Sequence, residues 1–207
     1  MSVVAILLGM GVAEDPPPAP VTWNPSDKSA NIALSSGNLV ATKQAGGESY
    51  ASLRATASRP ATDSGGHYFE IVITSGSPSP FMQIGVATAG MSLAGSMNNA
   101  DGWCYYQEDG SKRHNGVNTA YGASWTSGDV IGVLLKAGRL YFRKNGSWQG
   151  GGDPDAETGA AFSGLTGDLF PAAALYRASS PPHVLTARFA ADSFSGSLPT
   201  GAKAWDS

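Results

Sequence analysis

The acidic residues do not form the carboxylate pair that glycoside hydrolysis needs. Retaining glycosidases hold two carboxyl groups about 5–5.5 Å apart, which residues i and i+2 of one strand can provide. Of the 16 acidic residues, only Glu70 lies well inside a predicted strand, and no acidic residue follows it at that spacing. Asp129 begins another predicted strand and also has no acidic neighbour. We therefore predict that the chain is not a glycosidase.

The other residue types that perform catalysis are also poorly placed. His67, His114 and His183 lie in different segments, without the spacing of metal ligands. Cys104, the only cysteine, sits among aromatic residues in "GWCYYQ", which favours a buried thiol over a reactive one. Neither a G-x-S-x-G nucleophile elbow nor a G-x-x-x-x-G-K phosphate loop occurs. We predict a non-enzymatic protein that needs no cofactor.

One acidic cluster resembles the start of a calcium loop. In "GGGDPDAETG" the acids Asp153, Asp155 and Glu157 alternate. The segment lacks the Gly at position 6 and the bidentate Glu at position 12 of an EF-hand loop. We interpret these residues as solvated acids of a surface loop, with calcium binding as the alternative.

The composition indicates an all-β domain with a weakly charged surface. Charged residues make up 14% of the 207, against about 25% in an average domain. The 27 glycines and 13 prolines indicate many turns. The net charge is −3 and the basic residues form no stripe, which argues against a nucleic-acid partner.

Short apolar runs separated by turn dipeptides predict an antiparallel two-sheet β-sandwich. "RLYFRKNGSWQG" reads as a hairpin with an Asn-Gly turn, whose Tyr141 and Phe142 should pack on opposite faces while Trp148 covers one end. The run "VIGVLL" is apolar on both faces, which predicts that a second layer or a terminal segment covers the outer face. The predicted strands are Asn31–Ser35, Asn38–Lys43, Tyr50–Thr56, His67–Thr74, Phe81–Thr88, Gly102–Gln107, Val130–Lys136, Arg139–Lys144, Phe170–Arg177 and Val184–Ala190.

Three segments are predicted along the chain: an apolar N-terminal arm (1–13), a Pro-rich spacer (14–21) and the sandwich domain (22–207). The apolar run is far shorter than the ~20 residues that span a bilayer, so we predict no membrane span. The large apolar side chains of the arm are Val3, Val4, Ile6, Leu7, Leu8 and Met10. We expect them to bind a neighbouring chain, either a further copy of this one or, if the chain belongs to a virus particle, other virion proteins.

The order of segments resembles the SPRY domain, a protein-interaction β-sandwich related to the concanavalin-like folds. The stretches that carry the resemblance are "GGHYFEIVI", "QIGVAT", "DVIGVLLKAGRLYFRKNGSWQG", "AFSGLTGDLFPAAALY" and "TARFAADSF". It extends from Trp23 to Trp205 and looks closest to the bacterial and phage branch. In this family the strands around "FRKNG" are a framework hairpin, so the resemblance assigns that hairpin a structural role.

The resemblance also implies a binding site in the loops at one end of the sandwich. Peptide-binding members use the loop after the "GVAT" strand and the aromatic residue that ends the "FPAAAL" strand. These features fall on Met97 and Asn98 and on Tyr176 and Arg177. The alternative is that Tyr176 only packs a strand end while Arg177 is solvated.

Three functional hypotheses follow. The first is a phage virion component, a tail or head appendage on the virion surface that is anchored by its arm and contacts a host surface protein or glycan. The second is a lectin-like carbohydrate-binding module that uses platforms such as Trp103, Tyr105 or Tyr121. The third is a bacterial adaptor, secreted or on the cell surface, that binds peptides.

Overall fold

The structure is a computed structural model that describes residues 19–44, 47–75, 81–178 and 181–207. The predicted arm, including Val3, Val4, Ile6, Leu7, Leu8 and Met10, lies outside the described residues, as do residues 14–18 of the spacer. The described part contains one short 3₁₀ turn, Ala191–Ser193, and otherwise only strands and loops. In these ranges, no helix has the length and apolar character needed to cross a bilayer.

Seventeen strands are described. They are β1 (Trp23–Lys28), β2 (Ile32–Ser35), β3 (Val40–Lys43), β4 (Glu48–Ala55), β5 (Arg59–Pro60), β6 (His67–Ser75), β7 (Gln83–Ala87), β8 (Gly102–Tyr106), β9 (Ser111–His114), β10 (Val117–Ala120), β11 (Val130–Lys136), β12 (Arg139–Lys144), β13 (Ser147–Trp148), β14 (Phe162–Ser163), β15 (Asp168–Arg177), β16 (Val184–Arg188) and β17 (Lys203–Ala204).

The strands form two sheets. Sheet A runs β1-β4-β15-β7-β8-β9-β10, with β5 paired to β15. Sheet B runs β13-β12-β11-β6-β16-β3-β2, with β14 paired to β12 and β17 to β6. All pairings are antiparallel except that of β17 with β6. The predicted two-sheet β-sandwich is confirmed.

Alternation of side chains along the strands builds the core between the sheets. Because successive side chains point to opposite faces, every second apolar residue of a strand faces the other sheet. Sheet A contributes Leu53, Ile84, Tyr105 and Leu175, and sheet B contributes Phe69, Ile71, Val133 and Phe142, all fully buried in one cluster.

The hairpin β12–β13 has the predicted turn. Asn145 and Gly146 both adopt positive φ, 49° and 83°, as a type I′ turn requires. Phe142 faces the core between the sheets, whereas Tyr141 lies on the outer face of sheet B beside Trp148, 6.1 Å between ring centroids. The hairpin is therefore part of the framework.

Several strands were not predicted from the sequence. β9 and β10 ("SKRH" and "VNTA") are polar strands at the edge of sheet A, where no second layer demands apolar residues. β5, β14 and β17 have two residues each, too few to show a period. β1 ("WNPSDK") contains Pro25, which is tolerated because this strand lies at an edge.

The C-terminal segment covers the outer face of sheet B, as the doubly apolar strand β11 predicted. Leu134 and Tyr68 lie there, and Phe194, Leu198 and Ala202 pack against them. Gly132 is required in β11, because a Cβ atom there would collide with the Tyr68 hydroxyl group.

Glu70 fastens this segment to the sheet. Its buried carboxylate accepts hydrogen bonds from the Tyr68 hydroxyl group (2.9 Å) and from the backbone N–H of Ser195 (2.7 Å). Arg188 lies 3.5 Å from the same carboxylate. The one acidic residue that the sequence placed well inside a strand is thus a structural clamp.

The two ends of the described chain meet beside the core. Val21, assigned to the spacer from the sequence, is buried in the main cluster, and its N–H donates to Asp206 Oδ1 at 2.6 Å. Trp205 is fully buried against Phe69, and its indole N–H donates to Ala57 O at 3.0 Å. The packed core therefore includes the last residue of the predicted spacer.

We expect Glu70→Gln to lower the free energy of unfolding by about 1–3 kcal/mol, because an amide cannot accept from both Tyr68 and Ser195 and carries no charge for Arg188. Urea unfolding measures this effect. Glu157→Gln is the matched control, since its pair with Arg139 (2.8 Å) is on the surface and should contribute at most about 1 kcal/mol. Equal stability of the two variants would contradict the clamp.

His67 should make folding sensitive to acid. Burial lowers the pKa of His67 below its usual 6.5, although Asp63, 3.0 Å away, opposes the shift. The unfolded chain then binds a proton more readily than the folded one, so stability is lost as the pH falls through the unfolded-state value and below. We expect the stability of His67→Gln to decline less than that of the wild type between about pH 7 and pH 5. Parallel declines in chemical unfolding would contradict this role.

Candidate protein-binding surface

Four aromatic side chains meet on the outer face of sheet A, and we call them the aromatic surface: Tyr50, Phe81, Tyr106 and Tyr176. The ring of Tyr176 makes edge-to-face contacts with Tyr50 and with Phe81, each with centroids 5.0 Å apart. Phe81 lies parallel to Tyr106 at 6.4 Å. Tyr106 is buried, while the other three rings are half-buried. The surface therefore presents apolar ring area together with phenol hydroxyl groups.

Strand alternation and one irregularity bring these residues together. Tyr50 on β4 and Tyr106 on β8 alternate with residues that face the core, such as Ala51 and Tyr105. The β15–β4 register shifts between Leu175 and Arg177, so the ladder is interrupted at Tyr176. Such irregularities bend a strand and re-aim its side chains. Here the interruption lies where Tyr176 contacts Tyr50.

An arginine borders the aromatic surface. The guanidinium carbon of Arg113 lies 3.3 Å from the ring centroid of Tyr106, a cation–π contact. Its Nε donates to Ser111 Oγ at 2.9 Å and its Nη2 to Asp109 Oδ2 at 3.3 Å. These bonds fix the guanidinium group flat against the ring.

The backbone of Tyr176 and Arg177 is held by a buried histidine. His183 Nδ1 accepts hydrogen bonds from the N–H groups of Tyr176 (3.1 Å) and Arg177 (3.3 Å). The Arg177 guanidinium group forms an ion pair with Glu48 at 2.8 Å. His183 is thus a positioning residue for the end of β15, which the sequence did not reveal.

The phenol groups of Tyr50 and Tyr106 are protonated at neutral pH. Burial raises the pKa of Tyr50 above its usual value, against a hydrogen bond with Tyr106 that lowers it. The pKa of Tyr106 is raised mainly by burial. Both hydroxyl groups therefore remain neutral; that of Tyr106 is buried and donates to Glu108 Oε2 at 3.1 Å, so the half-buried Tyr50 hydroxyl group is the one accessible to a partner.

Met97 is not available for direct contact with a partner. Its side chain is 0% exposed and packs with Met91 and Cys104 beneath the loop of residues 88–101, on the outer face of sheet A. Gln83 Oε1 holds this part of the loop by accepting from the Met97 N–H (2.7 Å) and from the Ser96 hydroxyl group (2.9 Å). Met97 supports the loop instead, because its apolar side chain anchors it to the sheet.

Asn98 lies beside a different element from Tyr176. Its amide nitrogen donates to Asn118 Oδ1 (2.9 Å), and its oxygen accepts from the Gly116 N–H (3.0 Å). It therefore contacts the β9–β10 turn and strand. Of the four predicted binding residues, the structure joins Tyr176 and Arg177 at one strand end and separates Met97 and Asn98 from them by their contacts.

Sequence reasoning missed Tyr50, Phe81, Tyr106 and Arg113. The alternation in "ESYASLRA" and "GWCYY" could have placed Tyr50 and Tyr106 on the face opposite the core. The Asp109-Gly110 pair signals a turn after β8, but the polar run "SKRH" has no apolar period to set its register, so the position of Arg113 opposite Cys104 was not predicted.

The acids considered for calcium have separate partners. Asp155 lies 3.5 Å from Lys136, Glu157 pairs with Arg139, and Asp153 Oδ1 accepts backbone N–H groups of its own loop. In the ranges that the structure describes, no three His, Cys, Asp or Glu residues lie together as a metal site. These three carboxylates therefore form ion pairs and hydrogen bonds that stabilise their own loop.

The residues considered for catalysis or sugar binding are also buried or engaged in contacts within the fold. Burial raises the pKa of the Cys104 thiol, so the reactive thiolate is disfavoured. His114 Nδ1 bonds Gly102 O at 2.9 Å, and its ring stacks on Trp103 at 4.6 Å. Tyr105, proposed as a sugar platform, is fully buried. The described site residues support recognition of a partner and assign no reaction.

Comparison with known proteins identifies a family of interaction domains. The family model described as "SPRY domain" matches residues 66–184. Ran-binding protein 10 of Danio rerio is 33% identical over 194 residues, covering 88% of this chain, and Ran-binding protein 9 of Homo sapiens is 34% identical over 189 residues, covering 86%. This chain spans only 29% and 24% of the lengths of those two proteins. Both relatives are animal proteins and give no support to the predicted bacterial and phage branch.

Solved structures share the fold. The SPRY domain of human HERC1 superposes with a TM-score of 0.62 at 18% identity, covering 80% of this chain and 96% of that one. The TRIM65 PSpry domain gives a TM-score of 0.60 at 17% identity, covering 82% and 92%. The family match over most of the sandwich, with the same fold in the neighbours, shows that the chain belongs to the SPRY domain family.

Proposed function

We propose that this chain is a non-enzymatic interaction module that binds a polypeptide segment of a partner protein through the aromatic surface. One observation carries the proposal: Tyr176 contacts both Tyr50 and Phe81, and these three half-buried rings lie on one face. Tyrosine and arginine are enriched among the residues that dominate binding energy, since they combine large contact area with polar tips.

The chemistry of the surface defines the class of partner. The rings offer apolar area, the neutral Tyr50 phenol group can form hydrogen bonds, and Arg113 and Arg177 place two guanidinium groups nearby. Both are already paired with acids, Asp109 and Glu48, so the net charge of the rim is balanced. We therefore expect a segment with apolar or aromatic side chains, bound without strong dependence on salt.

The relatives support the class of function at a coarse level. Two of them are named for binding Ran, which is a statement about those proteins, and this chain matches less than a third of their lengths. The virion hypothesis draws no support from these relatives. A lectin-like role is disfavoured by the burial of Tyr105 and by the stacking of Trp103 on His114.

The proposal predicts that Tyr176→Ala weakens binding by about 1–3 kcal/mol, roughly 5- to 150-fold, because it removes the central ring of the surface. The probe is a set of peptides selected from a random 12-residue display library on the wild-type chain, with affinity measured by isothermal titration calorimetry. Trp148→Ala is the matched control, since this half-buried aromatic residue lies on sheet B.

Met97→Ala distinguishes a role in partner binding from a role in stabilising the loop of residues 88–101. We expect this variant to lose about 2–5 kcal/mol of stability, since it empties a buried site, and to keep peptide affinity once folded. If Tyr176→Ala binds every selected peptide as tightly as the wild type while its melting temperature falls sharply, Tyr176 is a packing residue and the proposal is wrong.

A further inference from the structure

Strand β10 is an unpaired edge of sheet A. It pairs with β9 on one side, and within the described ranges no strand lies on its other side. All four of its residues are exposed. In an antiparallel ladder every second residue directs its N–H and C=O away from the partner, so β10 has backbone groups free to pair with an added strand.

This edge lacks the usual protection. Natural edge strands are shielded by charged side chains, by proline or by a covering segment. β10 reads "VNTA", without charge or proline. Val117, 62% exposed, is the only large hydrophobic residue exposed within the ranges that the structure describes.

An apolar groove accompanies the edge. A cleft of about 240 Å³ lies between the β9–β10 hairpin and Phe162 of β14. Lys112 and His114 line it, and Val117 and Thr119 lie opposite them in the ladder. Lys112 is 5.6 Å above the Phe162 ring, and no acidic residue lines the cleft. An added strand would place alternate side chains in this groove.

The chain itself contains a segment with matching chemistry. The stretch Val3–Met10 carries six large apolar side chains and no charge, and its β-branched residues are compatible with a strand. Burying each such side chain contributes roughly 1.5–3 kcal/mol before the ordering of the segment is subtracted. The groove and the free edge offer that burial together with backbone hydrogen bonds.

Geometry favours a groove on another copy. Val21 is fixed beside Asp206, and the chain then enters β1, the edge of sheet A opposite β10. Six strand spacings of about 4.8 Å separate these edges, roughly 29 Å, and the ten residues between Met10 and Val21 would span about 31 Å as polyproline, so the segment could reach β10 of its own copy only along a nearly straight path. A path across the outer face of sheet A would also meet the loop of residues 88–101.

We propose that Val3–Met10 of one copy of this chain adds as a strand to β10 of a second copy, with apolar side chains in the groove beside Val117 and Phe162. This is strand addition at a sheet edge, in which backbone bonds supply affinity and pockets supply selectivity. The surface is separate from the aromatic surface, so either proposal can fail without the other.

The test uses sedimentation velocity of the full chain at about 1–100 μM. We expect the wild type to form dimers or longer assemblies. Deletion of residues 2–13 should leave a folded monomer, and Val117→Lys should raise the dissociation constant at least tenfold because it replaces the exposed apolar side chain of the edge with a second ammonium group near Lys112. Ser26→Lys, the same charge on exposed β1 at the opposite edge, is the matched control and should assemble like the wild type.

Mixing the two defective variants gives the sharper result. Val117→Lys keeps the apolar segment and the deletion variant keeps the groove, so the mixture should form a complex although each variant alone is monomeric. A monomeric wild type, a mixture that stays monomeric, or a deletion variant that still dimerises through β10 would each overturn the proposal. If the deletion variant fails to fold, normal assembly of Val117→Lys would by itself refute it.

Discussion

Strand β15 is the element on which the rest of the structure depends. It lies between β4 and β7 in sheet A, and its run of alanines contributes to both faces. Ala173 and Leu175 face the core, while Ala172 and Ala174 lie under the loop of residues 88–101. Small side chains on the outer face allow this loop to pack close to the sheet, because a larger residue would hold it away.

On each outer face of the sandwich, a segment that contains no long strand packs over part of the sheet. The loop of residues 88–101 covers sheet A and is held by Gln83, and the C-terminal segment covers sheet B and is held by Glu70. In each case one buried polar side chain accepts hydrogen bonds from the backbone of the covering segment. A buried polar group left without a hydrogen-bond partner lowers the stability of the fold, so Gln83 and Glu70 fix where the covering segments lie.

The sequence predicted what alternation and turn chemistry determine. The sandwich, the hairpin at Asn145 and Gly146, and the covered outer face of β11 follow from periodicity and from residues that adopt positive φ. It did not predict β9 and β10, because polar edge strands carry no apolar period. The interior position of Met97 also escaped prediction, since loop residues show no pattern that separates buried from exposed positions.

The candidate site was predictable only in part, for a related reason. Tyr176 could be placed by its position at the end of an apolar strand, but its neighbours Tyr50 and Tyr106 come from strands far apart in the sequence. Their meeting depends on the strand order β4-β15-β7-β8, which no local pattern specifies. Pairwise contacts across a sheet are set by register, and a single residue's shift would invert every face.

Strand β9 connects the two surfaces that the covering segments leave open. Arg113 points to the outer face and stacks on Tyr106, while Lys112 and His114, on either side of it, point to the groove beside β10. A strand added to β10 would lie three strand spacings, about 14 Å, from β8, so it would extend the ladder without touching the Tyr106 ring. The free edge of β10 and the aromatic surface are thus separate on the sheet, so a chain bound at one would leave the other accessible.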